Sequence, residues 1–171
     1  PTISGKSNFY LAKFNSLGNY EWSKQIDSTG DGSSGNSIKC FGSTIIVGGT
    51  HDKQIKIGNT TLIRMGNNDA FIAQYNGDGS FISAAGCHTG AKEWVHDLAT
   101  DASGNVYVTG LYQFSSFPNQ GLLLIQGNLS LPQGAVNGTL FWAKFGQGTP
   151  PPPPLNPPKA PVNLVAKASS S

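Results

Sequence analysis

One five-residue pattern occurs three times in this chain, as Tyr10-Leu11-Ala12-Lys13-Phe14, Phe71-Ile72-Ala73-Gln74-Tyr75 and Phe141-Trp142-Ala143-Lys144-Phe145. Such self-similarity restricts the fold more than any compositional figure, because each copy must take the same local structure. Within a copy the residues alternate with period two. One face reads aromatic, Ala, aromatic, and the other reads apolar and then Lys or Gln. That is the pattern of a β-strand with one face fully buried and the other partly covered. The small central alanine calls for a close neighbour above it.

A second strand type repeats in step. Ile45-Ile46-Val47-Gly48-Gly49 matches Val106-Tyr107-Val108-Thr109-Gly110, at the same 61-residue spacing as Ala12 and Ala73. A shorter strand stands before each, Asn36–Lys39 and His96–Ala99. Asp101-Ala102-Ser103-Gly104-Asn105 is a strong turn signal, since Asp bonds its own backbone while Gly and Asn tolerate positive φ. Asn15–Asn19 and Asn76–Ser80 carry comparable turns, leading into strands Tyr20–Lys24 and Phe81–Ala85. Each unit therefore holds four strands joined by tight hairpins. Between units, Gln54–Ile57, Gly58-Asn59 and Thr60–Ile63 read as an added hairpin with a glycine-led turn. Its counterpart, Leu122–Gln126 with Gly127-Asn128, has longer flanking loops, which lengthen the second spacing to 70 residues between Ala73 and Ala143.

A four-stranded antiparallel meander repeated about every 60 residues, rich in Gly and aromatics, is the signature of β-propeller blades. The expected fold is all-β: two four-stranded blades plus the first strand of a third, as a fragment of a larger propeller. The strings Asn68–Gly79 and Ala99–Gly110 carry a resemblance to the bacterial β-propeller repeats called SBBP. Trp22 stands where that family tends to place a tryptophan; Ser83 replaces it in the second copy. The first copy departs at Phe41–Thr44, where the Asp-x-x-Gly-Asn turn is lost. The resemblance spans roughly residues 7 to 146, and on it Asp101, Gly104, Asn105, Gly110 and Gly49 have structural roles at turns and strand ends.

Eight of the eleven prolines lie between Pro150 and Pro161. Fixed φ and missing amide donors make that stretch an extended polyproline spacer. The expected organisation is blade repeats over 1–148, a Pro-rich linker over 149–161, and the start of another module over 162–171. Ala160–Ala166 resembles the opening strand of a fibronectin type III domain. The blades would need the rest of their own polypeptide, or other subunits, to complete a ring. No basic and apolar leader opens the chain, so an export signal would have been removed or lie outside it.

Charged residues make up 12% of the chain, net charge is +2, and Arg64 is the sole arginine. Nucleic acid is thereby disfavoured as a partner. No apolar run approaches a membrane span, so no membrane insertion is expected. Gly, Ser, Thr and Asn together supply 65 of the 171 residues, the material of hairpin turns.

Candidate chemistry is sparse. Asp27 and Asp31 lie in a Gly/Ser loop without the terminal Glu of a calcium loop. Cys40, Cys87, His51, His88 and His96 show no zinc spacing, so neither metal nor cofactor is expected. Cys40 and Cys87 are either separate thiols or one bridge between units, which an exported chain permits. Ser4–Ser7 imitates the end of a phosphate-binding loop, but a strand follows where a helix is required. Sequons at Asn59, Asn128 and Asn137 match chance expectation. Among the tryptophans, Trp142 falls in a repeated strand and is expected to serve packing. Trp94, without a repeat partner, and Trp22 are the ligand-binding candidates.

The favoured function is a non-catalytic scaffold, adhesion or protein-interaction module of a secreted or cell-surface modular bacterial protein. The resemblance implies the same, since such repeats occur in large exported proteins. The alternative is a glycan-binding accessory domain of an exported polysaccharide-active enzyme. A hydrolase ranks last, because no acidic residue follows Asp101.

Overall fold

Twelve strands and no helix are found among the residues that the computed structural model describes, which are 9–28, 32–86, 92–113 and 138–145. Every strand pairing is antiparallel. The strands are β1 (Tyr10–Phe14), β2 (Tyr20–Gln25), β3 (Asp27–Ser28), β4 (Ser33–Phe41), β5 (Thr44–His51), β6 (Ile55–Ile57), β7 (Thr60–Leu62), β8 (Asp69–Asn76), β9 (Phe81–Gly86), β10 (Lys92–Thr100), β11 (Val106–Gln113) and β12 (Thr139–Phe145). The repeated pattern lies on β1, β8 and β12, so the sequence period is the structural period. The added hairpin is β6–β7, turning at Gly58 with φ 59°.

The grouping of strands into sheets differs from the expectation of two four-stranded units and one extra strand. The sheets are β1–β2, β4–β5–β8–β9, β10–β11–β12 and a small β3–β6–β7. The four-stranded sheet therefore takes its first pair from the end of one sequence repeat and its second pair from the start of the next. Pairing decides this. Ile45 and Val47 of β5 face Tyr75 and Ala73 of β8 across the ladder, while the β2–β4 connection does not form a hairpin at all.

The four-stranded sheet is covered on both sides. On one side Ile45, Val47, Phe71, Ala73 and Tyr75 pack with Leu11 and Ile26 of the β1–β2 region and with Ile55, Ile57 and Leu62 of the added hairpin. On the other, Ile46, Ala70 and Ile72 pack with Val95, Leu98, Val106, Val108, Tyr112, Phe141 and Ala143 of the three-stranded sheet. Burying such side chains contributes roughly 1.5–3 kcal/mol each. Alternation along β8 thus feeds two different cores. The aromatic-Ala-aromatic face is buried in β8, and Phe141 and Ala143 are buried in β12. In β1 it is turned outward: Tyr10 and Phe14 are exposed, and Leu11 is the buried residue.

The predicted turns hold three equivalent hairpin loops. Gly18, Gly79 and Gly104 adopt φ of 80°, 83° and 79°, where a side chain would be strained. Each loop is closed by the same two backbone bonds, for example Gly104 N–H to the Asp101 carbonyl at 3.0 Å and Asp101 N–H to the Asn105 carbonyl at 3.1 Å. Asp101 adds four more. Its carboxylate accepts from the backbones of Ser103 (2.9 Å) and Asn105 (3.0 Å), the Asn105 amide (2.7 Å) and the Tyr107 hydroxyl (3.0 Å). Gly49 and Gly110 act by close approach. A Cβ at either would stand 2.6 Å from the ring of Phe71 or Phe141 and collide with the carbonyl of Ser34 or Trp94. The expected linker (149–161), the module start (162–171), the Leu122–Gln126 hairpin, Ser4–Ser7, Asp31, Cys87, His88, Asn128 and Asn137 lie outside the described residues.

Candidate functional site

The two faces of β10–β11–β12 differ sharply. Residues directly opposite one another on neighbouring strands share a face. Glu93–Tyr112, Val95–Gly110–Phe141 and Leu98–Val108–Ala143 line the face that meets the four-stranded sheet. The other face carries Trp94–Leu111–Leu140, then Asp97–Thr109–Trp142, then Ala99–Tyr107–Lys144. Leu140 is 74% exposed and Trp142 72%, while Trp94, Leu111 and Tyr107 are half-buried. The Lys144 ammonium lies 5.4 Å from the centroid of the Tyr107 ring, a cation–π contact at the border of the patch. The result is an aromatic and aliphatic surface with the Lys144 cation at one end and the Asp97 carboxylate on its inner strand.

The internal repeat shows what this face corresponds to. One repeat earlier, the matching rows on the four-stranded sheet are Ser34–Thr50–Ala70, Ser37–Gly48–Ile72 and Lys39–Ile46–Gln74. Those positions hold mostly small side chains and are overlaid by β10. A Cβ on Gly48 would sit 2.6 Å from a Val95 methyl. Equivalent positions therefore build a closed contact in one sheet and an open, bulkier face in the next.

Sequence reasoning placed the tryptophans differently. Trp142, expected to serve packing, is the more exposed of the two tryptophans on the patch, because its face of β12 has no described sheet over it. Trp94 lies on the same face, beside Leu111. Trp22 is elsewhere: half-buried on β2, it donates its indole N–H to the Gly77 carbonyl at 3.1 Å and packs on Gly79, tying the β1–β2 hairpin to the β8–β9 turn. Leu140 and Trp142 were missed as surface residues. The available signal was size, since Trp142 stands where Leu11 and Ile72 stand in the other copies.

A polar seam runs where β4 and β10 meet. The Asn36 amide donates to the Val95 carbonyl (2.7 Å) and to the Thr50 hydroxyl (3.2 Å). The Ser37 hydroxyl donates to Asp97 (2.7 Å), whose carboxyl is held below its ordinary range chiefly by that bond. Lys39 stands 3.8 Å from Asp97. Asn36 and His96 occupy equivalent bulges, so one reason for the short-strand repeat is this stitch between sheets. Two buried ionisable residues, Asp69 and His51, serve the connections. Asp69 accepts the backbone N–H groups of Met65 (2.6 Å) and Gly66 (3.0 Å), and His51 Nδ1 lies 2.7 Å from the Lys53 carbonyl.

Asp101, Gly104, Asn105, Gly110 and Gly49 sit at turns and close contacts, and Asp101 touches the border of the open face through the Tyr107 hydroxyl. Cys40 is an exposed free thiol on β4, and its possible partner Cys87 is among the residues not described. Among the described residues no group of three His, Cys, Asp or Glu side chains is placed to hold a metal ion, and no helix is long and apolar enough to cross a membrane. Compared with protein-family models and with curated proteins, the chain gives no match.

Proposed function

We propose that residues 9–145 are successive blades of a β-propeller, serving as a non-catalytic scaffold or adhesion module of a secreted or cell-surface modular bacterial protein. Its partner is another protein, docked on the outer face of β10–β11–β12. Sheets stacked face to face at the sequence period support the blade reading. The observation that carries the binding reading is the Leu140–Trp142 surface, exposed where its equivalents one repeat earlier, Ala70 and Ile72, are buried. Contiguous exposed apolar patches of this kind mark protein contacts.

Trp94 and Trp142 on a single sheet face favour a second reading, a glycan platform, because sugar rings stack on exposed aromatics. Two arms separate the readings. The chain is tested by surface plasmon resonance against purified extracellular proteins, and on a glycan array. Protein binding abolished by Trp142→Ala supports the first reading. Glycan binding abolished by Trp94→Ala or Trp142→Ala supports the second, and binding in neither arm refutes both.

A further inference from the structure

We propose that the open face of β10–β11–β12 is covered in solution by the β1–β2 hairpin of a second copy of this chain, in a head-to-tail contact. The inference rests on reading that face as a protein-docking surface, and it names the partner.

Among the described residues, β1–β2, the four-stranded sheet and β10–β11–β12 stack through two contacts, and both join the same kinds of face. In each, the aromatic-Ala-aromatic side of one sheet meets the opposite side of the sheet before it. Phe71, Ala73 and Tyr75 meet the Leu11 side of β1–β2, and Phe141 and Ala143 meet the Ile72 side of the four-stranded sheet. Two such faces are left over among the described residues. One is the Tyr10–Ala12–Phe14 side of β1–β2, with Tyr10 61% and Phe14 57% exposed and Tyr20 exposed beside Phe14. The other is the Trp142 side of β10–β11–β12. They are of the two opposite kinds that meet inside the chain.

Size adds a second argument. At the internal contact, Gly48 admits Val95 and Leu98 from the inner strand β10. The positions equivalent to Ser34, Gly48 and Ala70 on the open face are Trp94, Thr109 and Leu140, all larger. An identical blade would collide with them. The β1–β2 sheet has, among the described residues, only two strands and no counterpart of β10 or β11. Among the described residues it therefore places nothing above Trp94 and Thr109 where Val95 and Leu98 stand inside the chain.

A polar contact adds a third. Inside the chain the Lys13 ammonium crosses between sheets to donate to the Gly77 carbonyl at 3.0 Å. The repeat equates Lys13 with Lys144 and Gly77 with Ser16. The same bond then runs from Lys144 of one copy to the Ser16 carbonyl of the second copy.

A head-to-tail contact uses two different surfaces, so it closes into a ring or extends as an open series. The test is sedimentation equilibrium of the full chain from micromolar to submillimolar concentration. Wild type is expected to reach at least twice its monomer mass of 17.9 kDa. Trp142→Glu spoils one surface and Tyr10→Glu the other, so each alone stays monomeric. An equimolar mixture retains one intact surface from each and gives a dimer that does not grow further. Leu140→Lys repeats the first result at a second exposed site, and thermal melts show that each variant is folded. Wild-type monomer at every concentration, a mixture that does not associate, or assembly that survives both substitutions overturns the inference. A monomeric chain that binds a foreign protein through Trp142 overturns the second copy alone. A glycan held by Trp94 and Trp142 overturns the docking reading as well.

Discussion

The three equivalent aromatic positions, Tyr10, Phe71 and Phe141, allow the stacking to be tested energetically. They have the same sequence context and different surroundings. Phe71 is fully buried, its ring 6.2 Å from those of Phe9 and His51 and seated over Gly49. Phe141 is 5% exposed, with Tyr112 at 6.3 Å. Tyr10 is exposed. Replacing a buried Phe by Ala removes its transfer free energy and leaves a cavity that tightly paired strands cannot close, a combined cost of about 3–5 kcal/mol. A domain of this size is held by only about 5–15 kcal/mol in all. Phe71→Ala and Phe141→Ala should therefore each remove a large fraction of the stability. Tyr10→Ala should cost no more than about 0.5 kcal/mol, as a surface change does. The assay is urea unfolding followed by tryptophan fluorescence, at concentrations where the chain is monomeric. Midpoints should fall for the two Phe variants with the slope unchanged. Equal losses at Tyr10 and Phe71, or a loss below about 1.5 kcal/mol at Phe71, would refute the stacking, because the cavity argument leaves no room for either.

Acid should weaken the turn before β11. The Asp101 carboxyl is held at about 2, chiefly by the Asn105 side chain, against roughly 3.9 in an unfolded chain. A folded pKa below the unfolded one means a contribution complete above about pH 4 and lost as pH falls toward 2. Thermal midpoints across that window should fall more in wild type than in Asp101→Asn, and parallel curves would count against the turn geometry. Gly110→Ala places a Cβ against the Phe141 ring and the Trp94 carbonyl. It should destabilise by about 1–3 kcal/mol, as overpacking does, and a neutral result in calorimetry would show that β10 and β11 are not so closely apposed.

Much of the fold was legible because it is local. Period-two alternation announced β8 and β12, and Asp101-Ala102-Ser103-Gly104-Asn105 announced a turn whose bonds are all within six residues. Gly58-Asn59 placed the β6–β7 hairpin correctly. The site was less legible. Trp94 was singled out for lacking a repeat partner, and it does lie on the open face, but Trp142 was assigned to packing from the company it keeps in its strand. Trp22 was read as a platform residue, and the structure shows its indole N–H committed to Gly77.

The sequence by itself determined the strands, the turns and the period, since these depend on alternation and on φ preferences within a few residues. Only the tertiary structure decided which strands share a sheet and which copy of a repeated face is covered. Period-two patterning says that Tyr10, Phe71 and Phe141 point to one side of their strands. It carries no record of what stands on that side. Phe71 and Phe141 have a sheet over them and Tyr10 has none among the described residues, while Trp142 emerges where Ile72 is covered. Burial is a property of the neighbour, and in a stack of sheets the neighbour of each face comes from a different repeat.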